Sequence, residues 1–347
     1  MEMTSLERMN AVLNGKTPDR VPVVPQSFMF SAKNAGYNIG KINRDPKLMA
    51  ESHMVCQERF GYDGCVIDVD DATLAEACGA RVLWREDNVA CVDEHHPLLS
   101  DLREIDDLEL PDPLKSGRLC EWLETTSILR REIGDHVWIM GRADQGPFSL
   151  LSLLRGTQDF MMDLLDEEPE VIKHALEWAA KAHTIFAKAQ IEAGAHATSM
   201  GDAYASPNLI SADMYRDYAL PYEIDVVNSV QTADAPYAIH ICGDTTKIIS
   251  DMGTTGAKIL EVDWRLDMKM ARAAVPESTV LMGNVNPSFP LYLGTPDDVR
   301  AAAKAVIDAT GGKGLILSSG CAIGPDTDPE NFRALVEAAE LYGTFDT

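Results

Sequence analysis

Three residues in this sequence have the types and setting for metal chemistry: His240, Cys242 and Cys321. The first two lie in Tyr-Ala-Ile-His-Ile-Cys-Gly-Asp, residues 237–244, where a short apolar run ends in an imidazole and a thiol one residue apart. Alone, that pair reads equally as a half-buried histidine beside a core cysteine. Cys321 lies far down the chain in a second tight segment, Ser319-Gly-Cys-Ala-Ile-Gly-Pro325, where a small residue in a turn is the plainer reading. Together, one imidazole and two thiolates with an open fourth position form the donor set of catalytic zinc. Soft sulfur ligands favour zinc over magnesium or calcium.

For the set to assemble, the chain must return position 321 to the place where 240 and 242 sit. Eight short β-rich runs are spaced along it: Val21–Pro25, Cys65–Val69, Val137–Gly141, His196–Gly201, Tyr237–Ile241, Lys258–Val262, Thr279–Gly283 and Gly314–Ser318. Helical patterns separate most of them, among them Asp159–Leu165, Pro169–Ala193, Ser211–Val230, Thr245–Thr254, Met268–Ala274 and Pro296–Thr310. Strands alternating with helices predict a parallel sheet. Eight of them predict an α/β fold of the (β/α)8 TIM-barrel type over a single domain, residues 1–347, with an open doubly wound sheet as the alternative. Thr4-x-x-Glu7 has capping-box spacing before an N-terminal helix, Ser5–Leu13, and Asp328-Pro-Glu opens a last helix. Asp87–Leu119, rich in acids, His and Pro, breaks the alternation as an excursion between the second and third strands. In such a barrel the site lies at the C-terminal strand ends. There the sequence places Asp68, Asp70 and Asp71, then Asp202, His240 and Cys242, Glu261 and Asp263, Asn284 and Asn286, and Ser319-Gly-Cys321. His240, Cys242 and Cys321 would then open onto one mouth.

Composition narrows the function classes. Lys plus Arg number 30 against 55 Asp plus Glu, a net charge of −25, which argues against nucleic acid and anionic membranes as partners. No long apolar run predicts a membrane span, and Met-Glu-Met-Thr-Ser-Leu-Glu-Arg lacks a signal-peptide core, so a cytoplasmic location is expected. Seven cysteines, an odd number in a large chain, do not suggest a disulfide framework.

The segments His240-Ile-Cys-Gly-Asp244, Met282-Gly-Asn-Val-Asn-Pro287 and Ser319-Gly-Cys-Ala-Ile-Gly-Pro325, with Pro329-Glu-Asn331, resemble the corrinoid-linked methyltransferases of the uroporphyrinogen decarboxylase superfamily, of which the coenzyme M methyltransferases are one branch. Pro18-Asp-Arg-Val-Pro22 and Gly146-Pro-Phe148 extend the resemblance over most of the chain. It implies a TIM barrel with a zinc site on His240, Cys242 and Cys321. It also implies methyl transfer between a corrinoid protein and a small molecule. The corrinoid is expected on a separate chain, because the nearest match to Asp-x-His-x-x-Gly, Asp93-Glu-His95-His-Pro-Leu98, lacks the Gly. The decarboxylase branch, whose catalytic aspartate would fall on Asp70, fits less well. Its arginine-rich substrate loop is replaced by Pro25–Gly36 with one lysine, and Cys321 stands near the last strand where that branch has His.

The ligands suit the chemistry. A free thiol has a pKa near about 8.5, and zinc would bind the sulfur and strip its proton, making a thiol such as coenzyme M the favoured acceptor. The same ligands could activate a methyl ether or amine that gives its methyl to Co(I). Glu261 is a candidate fourth ligand at rest, equally readable as a hydrogen-bonded carboxylate of the mouth. Asp202, Asn284 and Asp70 are candidates for orienting substrate or the His240 ring, and Tyr204 for lining the pocket. His183 is expected to be a surface or packing residue. In a non-enzymatic alternative, zinc merely staples the mouth.

Overall fold

The computed structural model describes residues 3–67 and 70–345. Asp68 and Val69, the end of the second predicted strand, lie outside the described residues. Seven parallel strands form the main sheet in the order β1 (Gly64–Ile67), β4 (Trp138–Gln145), β5 (Ala197–Gly201), β6 (Tyr237–Ile241), β7 (Ile259–Val262), β8 (Val280–Val285) and β9 (Leu315–Ser319). All residues of all seven are buried, as expected for a parallel sheet covered on both faces. A two-stranded antiparallel hairpin, β2 (Val82–Leu83) with β3 (Cys91–Val92), stands between β1 and β4. β3 and a 3-10 turn at Leu102–Asp107 occupy the predicted excursion, and a helix resumes at Leu119.

Val21–Pro25 does not form a regular strand. It bridges Leu317 in parallel at Val23, with Val24 N donating to Leu317 O and Leu317 N donating to Pro22 O. On its other side Asp63 N donates to Val23 O. The segment thus bonds toward both edges of the sheet, but Pro22 and Pro25 have no N–H to continue a ladder. Ser211–Val230 is two helices, Ala212–Tyr218 and Leu220–Val230, broken ahead of Pro221, which cannot donate back into the turn. The N-terminal helix spans Ser5–Leu13, with the Thr4 and Glu7 side chains capping each other's backbone.

Side chains alternate between two apolar layers. Tyr237, Ile239 and Ile241 of β6 pack outward with the helices, whereas Ala238 joins Val24, Val66, Met140, Ile259, Met282 and Ile316 in an inner cluster that Met9, Val12 and Leu13 cover from the N-terminal helix. With a period of two, His240 follows Ala238 onto the inner face, Arg142 follows Met140, Glu261 follows Ile259 and Ser318 follows Ile316. The inner face is therefore apolar in its lower part and polar toward the C-terminal ends. β4 runs four residues beyond its predicted end, because Arg142 and Gln145 are buried polar residues with partners and the register shifts between them.

Candidate metal centre

His240 is the fourth residue of β6, and Cys242 follows the strand directly. Cys321 lies two residues past β9, in a turn pressed against the loop after β7: a Cβ on Gly320 would collide with the Trp264 backbone nitrogen, so only glycine fits. These strands bring one nitrogen and two sulfurs within 4.8 Å of one another. His240 Nε2 lies 3.2 Å from Cys242 Sγ, and the two sulfurs are 3.9 Å apart. Tetrahedral zinc at ordinary bond lengths would separate two sulfurs by about 3.8 Å and a sulfur from a nitrogen by about 3.6 Å, so the donors stand close to the required spacing.

The ring orientation also fits. His240 Nδ1 lies 3.1 Å from the Glu261 carbonyl oxygen, which can only accept, so Nδ1 carries the proton and Nε2 presents its lone pair to the sulfurs. The Cys242 loop is held by Asp263, whose Oδ2 accepts from Gly243 N at 2.8 Å while Oδ1 accepts from Arg265 N at 2.8 Å. The sequence alone assigns Asp263 no role beyond its place at a strand end. Its signal was its place two residues beyond Glu261, at the end of the strand beside β6. The two cysteines share their protons unequally. A hydrogen bond from Cys242 pushes Cys321 down, while the same contact and burial push Cys242 up. The thiolate is the form of cysteine that binds a cation.

The remaining candidates sit around this trio rather than in it. Glu261 is buried in the polar floor: its Oε2 accepts from Arg142 at 2.8 Å and from Gln26 at 3.2 Å, and Oε1 has no hydrogen-bond partner. Asp70 is buried in an ion pair with Arg118 at 2.7 Å and accepts from Thr73 and Ala72. Asp202 accepts from Ser149 N at 2.7 Å and Phe148 N at 3.4 Å, holding the start of helix Pro147–Arg155; burial pushes its pKa up to about 6 against those bonds. Asn284 donates to the carbonyls of Asp263 and Leu266 at 3.1 and 2.7 Å, closing the turn that carries Trp264. Tyr204 is half-buried, its backbone bonded to Ser149 Oγ. His183 is fully buried, donating from Nδ1 to Gln145 O and accepting the Tyr237 hydroxyl at Nε2.

The lone lysine of Pro25–Gly36, Lys33, faces Asp326 at 3.4 Å and Asp87 at 3.9 Å on the surface. A cavity of about 910 Å³ bordered by Leu6, Trp138, His196 and Lys258 opens at the opposite, N-terminal end of the strands, away from this chemistry. No helix among the described residues is long and apolar enough to cross a membrane.

Comparison with known proteins places the chain. The family model for uroporphyrinogen decarboxylase (URO-D) matches residues 4–342. The methylcobamide:CoM methyltransferase MtbA of Methanosarcina mazei is 30% identical over 346 residues, covering 98% of this chain and 99% of that protein. MtaA of Methanosarcina barkeri, described by the same activity, is 30% identical over 350 residues, again covering 98% and 99%. The uroporphyrinogen decarboxylase of Pelodictyon phaeoclathratiforme is also 30% identical, over 305 residues, covering 85% of this chain and 84% of its own. Among solved structures, a methyltransferase from Methanosarcina mazei superposes with a TM-score of 0.89 at 29% identity, covering 98% of this chain and 99% of the other. A B12-independent methionine synthase from Shewanella shares the fold at a TM-score of 0.59 and 14% identity, covering 85% of this chain and 86% of its own. With a family model matched along nearly its whole length, this chain belongs to the uroporphyrinogen decarboxylase family.

Proposed function

We propose that this chain is a zinc-dependent methyltransferase, moving a methyl group between a corrinoid carried by a separate protein and a small thiol. Residues 1–347 would form one domain, a (β/α)8 barrel in which Val21–Pro25 stands in the place of an eighth strand. The observation that carries it is the His240–Cys242–Cys321 trio, with Nε2 and two sulfurs within 4.8 Å at the C-terminal ends of β6 and β9. Methylcobamide:CoM methyltransferases among the relatives that this chain matches end to end add support.

His240, Cys242 and Cys321 would hold the zinc, with the uncommitted Oε1 of Glu261 in reserve as a fourth donor. When bound there, zinc supplies a Lewis acid that lowers the pKa of a thiol occupying the open position. The two cysteine thiolates would balance the charge of a zinc ion held there, leaving an acceptor sulfur nucleophilic. In the transfer, a C–S bond forms to the methyl carbon and the Co–C bond breaks. Its electron pair stays on cobalt as Co(I), and the thiol proton goes to solvent. The chain's own residues orient the donors: the Glu261 carbonyl fixes the His240 tautomer, Asp263 fixes the Cys242 loop, and the Arg142–Glu261 pair braces the floor. Asp70, Asn284 and Asp202 act as positioning residues, holding Arg118, the Trp264 turn and the Pro147 helix.

The test incubates zinc-loaded protein with methylcobalamin and, separately, 2-mercaptoethanesulfonate, 2-mercaptoethanol and 2-aminoethanethiol, and identifies methylated thiols by mass spectrometry. A thioether formed in step with loss of methylcobalamin absorbance is expected. Cobalt methylation of cob(I)alamin from methyl ethers or methylamines, without thiol methylation, would instead assign the reverse direction.

A further inference from the structure

The cavity of about 910 Å³ at the N-terminal ends of the strands takes no part in the chemistry described so far. In barrel folds that end carries stability rather than catalysis, and close packing leaves few voids larger than a water molecule. Here the walls are held apart. One face of the N-terminal helix and its cap, Leu6, Asn10, Leu13 and Asn14, borders the space at helical spacing. That helix is pinned: Leu6 N donates to His136 O at 3.0 Å, and buried Arg8 pairs with Asp19 and Asp63, each at 2.6 Å. Gln231 forms another wall. Its Oε1 accepts from Tyr237 N and Lys258 N at 3.1 and 2.8 Å, and its Nε2 donates to Gly256 O at 2.9 Å.

The charge at this cavity runs against that of the molecule. The chain carries −25 overall, whereas two cations, Arg130 and Lys258, border the cavity against one exposed acid, Asp234. Arg130 Nη1 donates to Gly134 O and lies 3.2 Å from His196 Nε2. His196 Nδ1 accepts from Ile139 N at 3.0 Å, so Nε2 carries the ring proton. Burial, with the Arg130 charge beside it, pushes the ring pKa down to about 4, which keeps it neutral. Two donors thus stand side by side. The other partner of Arg130 is Asp135 at 3.4 Å, itself 92% exposed, and Nε and Nη2 have no acceptor among the described residues. Lys258 uses one of its donors on Ser278 O at 2.9 Å. His196 immediately precedes β5 and Lys258 immediately precedes β7, two strand spacings or about 10 Å apart.

We propose that this cavity binds a small dicarboxylate, one carboxylate on Arg130 and His196 and the other on Lys258. A guanidinium takes a carboxylate through paired N–H bonds, and the ammonium on the far side sets the length of the ligand. Glutarate and adipate have lengths that suit such a gap, with the methylene chain lying against Trp138 and Leu13, which also border the cavity. The site stands at the other end of the strands from His240, Cys242 and Cys321 and is independent of what that centre does.

The test is isothermal titration calorimetry of the zinc-loaded full chain with glutarate and adipate, and with pentanoate and hexanoate as singly charged chains of the same lengths. The better dicarboxylate is expected to bind about tenfold more tightly than its monocarboxylate, the size of one charge-assisted contact. Lys258→Gln brings it to the monocarboxylate's Kd. Asn10→Trp, at an exposed helix position where the indole fills the cavity, abolishes binding while the circular dichroism stays that of wild type. The double variant Cys242→Ser, Cys321→Ser binds as wild type does. A dicarboxylate that binds no more tightly than its monocarboxylate, or not at all, overturns the proposal. So does wild-type affinity in Lys258→Gln or in Asn10→Trp. Binding lost in the double serine variant would put the ligand on the metal centre and overturns it equally.

Discussion

At the scale of single residues, the candidate centre works through what each donor is bonded to. His240 would be an ordinary buried histidine if Nδ1 had no acceptor; the Glu261 carbonyl turns Nε2 toward the sulfurs. Asp263 does the same for Cys242 through Gly243 N. Replacing an outer partner of this kind weakens metal binding by roughly 10–100-fold. Asp263→Asn, which leaves one acceptor oxygen for two backbone N–H groups, is expected at the lower end of that range. Competition against a chelating dye measures it, and unchanged affinity would remove Asp263 from the account. The donor trio was legible from residue type. The occupations of Asp70, Asp202 and Asn284 were not, because a polar residue at a strand end looks the same whether it faces a substrate or a neighbouring loop. Asp70 meets Arg118, 48 positions away, and Arg142 meets Glu261 across 119 positions. Pairings over such separations leave no local pattern.

At the scale of elements, alternation of short apolar runs with helical stretches marked every strand of the seven-stranded sheet, since burial on both faces leaves a continuous apolar signature. It missed the last four residues of β4, where the apolar run stops at a polar floor, and it overstated Val21–Pro25, where two prolines cut the ladder. Helix Leu220–Val230 carries a buried acid, Glu223, that accepts from the Tyr215 hydroxyl at 2.6 Å near Asp202. Burial and the Asp202 charge push Glu223 from 4.5 up to about 8. A raised carboxyl pKa favours the fold fully below the unfolded value and loses that contribution as pH rises through the folded one. Stability from Glu223 is therefore expected to fall between about pH 4.5 and pH 8. Glu223→Gln should raise the melting temperature by several degrees at pH 8 and by much less at pH 5. Equal shifts at both pH values would mean the carboxyl is ionised in the fold throughout. Asn284→Ala leaves two carbonyls of the Trp264 turn unpaired, a loss of about 1–3 kcal/mol, visible as a lower melting temperature.

At the scale of the molecule, the sheet is held by two apolar layers, and the candidate metal donors occupy only its polar rim. Metal removal should therefore loosen the molecule without unfolding it. A ligand at a hundred times its Kd adds about 2.7 kcal/mol to stability. Chelation should lower the melting temperature by a corresponding few degrees while the far-ultraviolet circular dichroism stays the same; loss of the helical signal would make zinc a folding staple. The central claim joins the trio to methyl transfer, and one paired measurement bears on it most directly: zinc per chain and methylcobalamin-dependent thiol methylation, in wild type, Cys242→Ser and Cys321→Ser. The account predicts about one zinc per wild-type chain, with metal and thioether formation both lost in each variant. Full thiol methylation by metal-free protein, or by either serine variant, would contradict it.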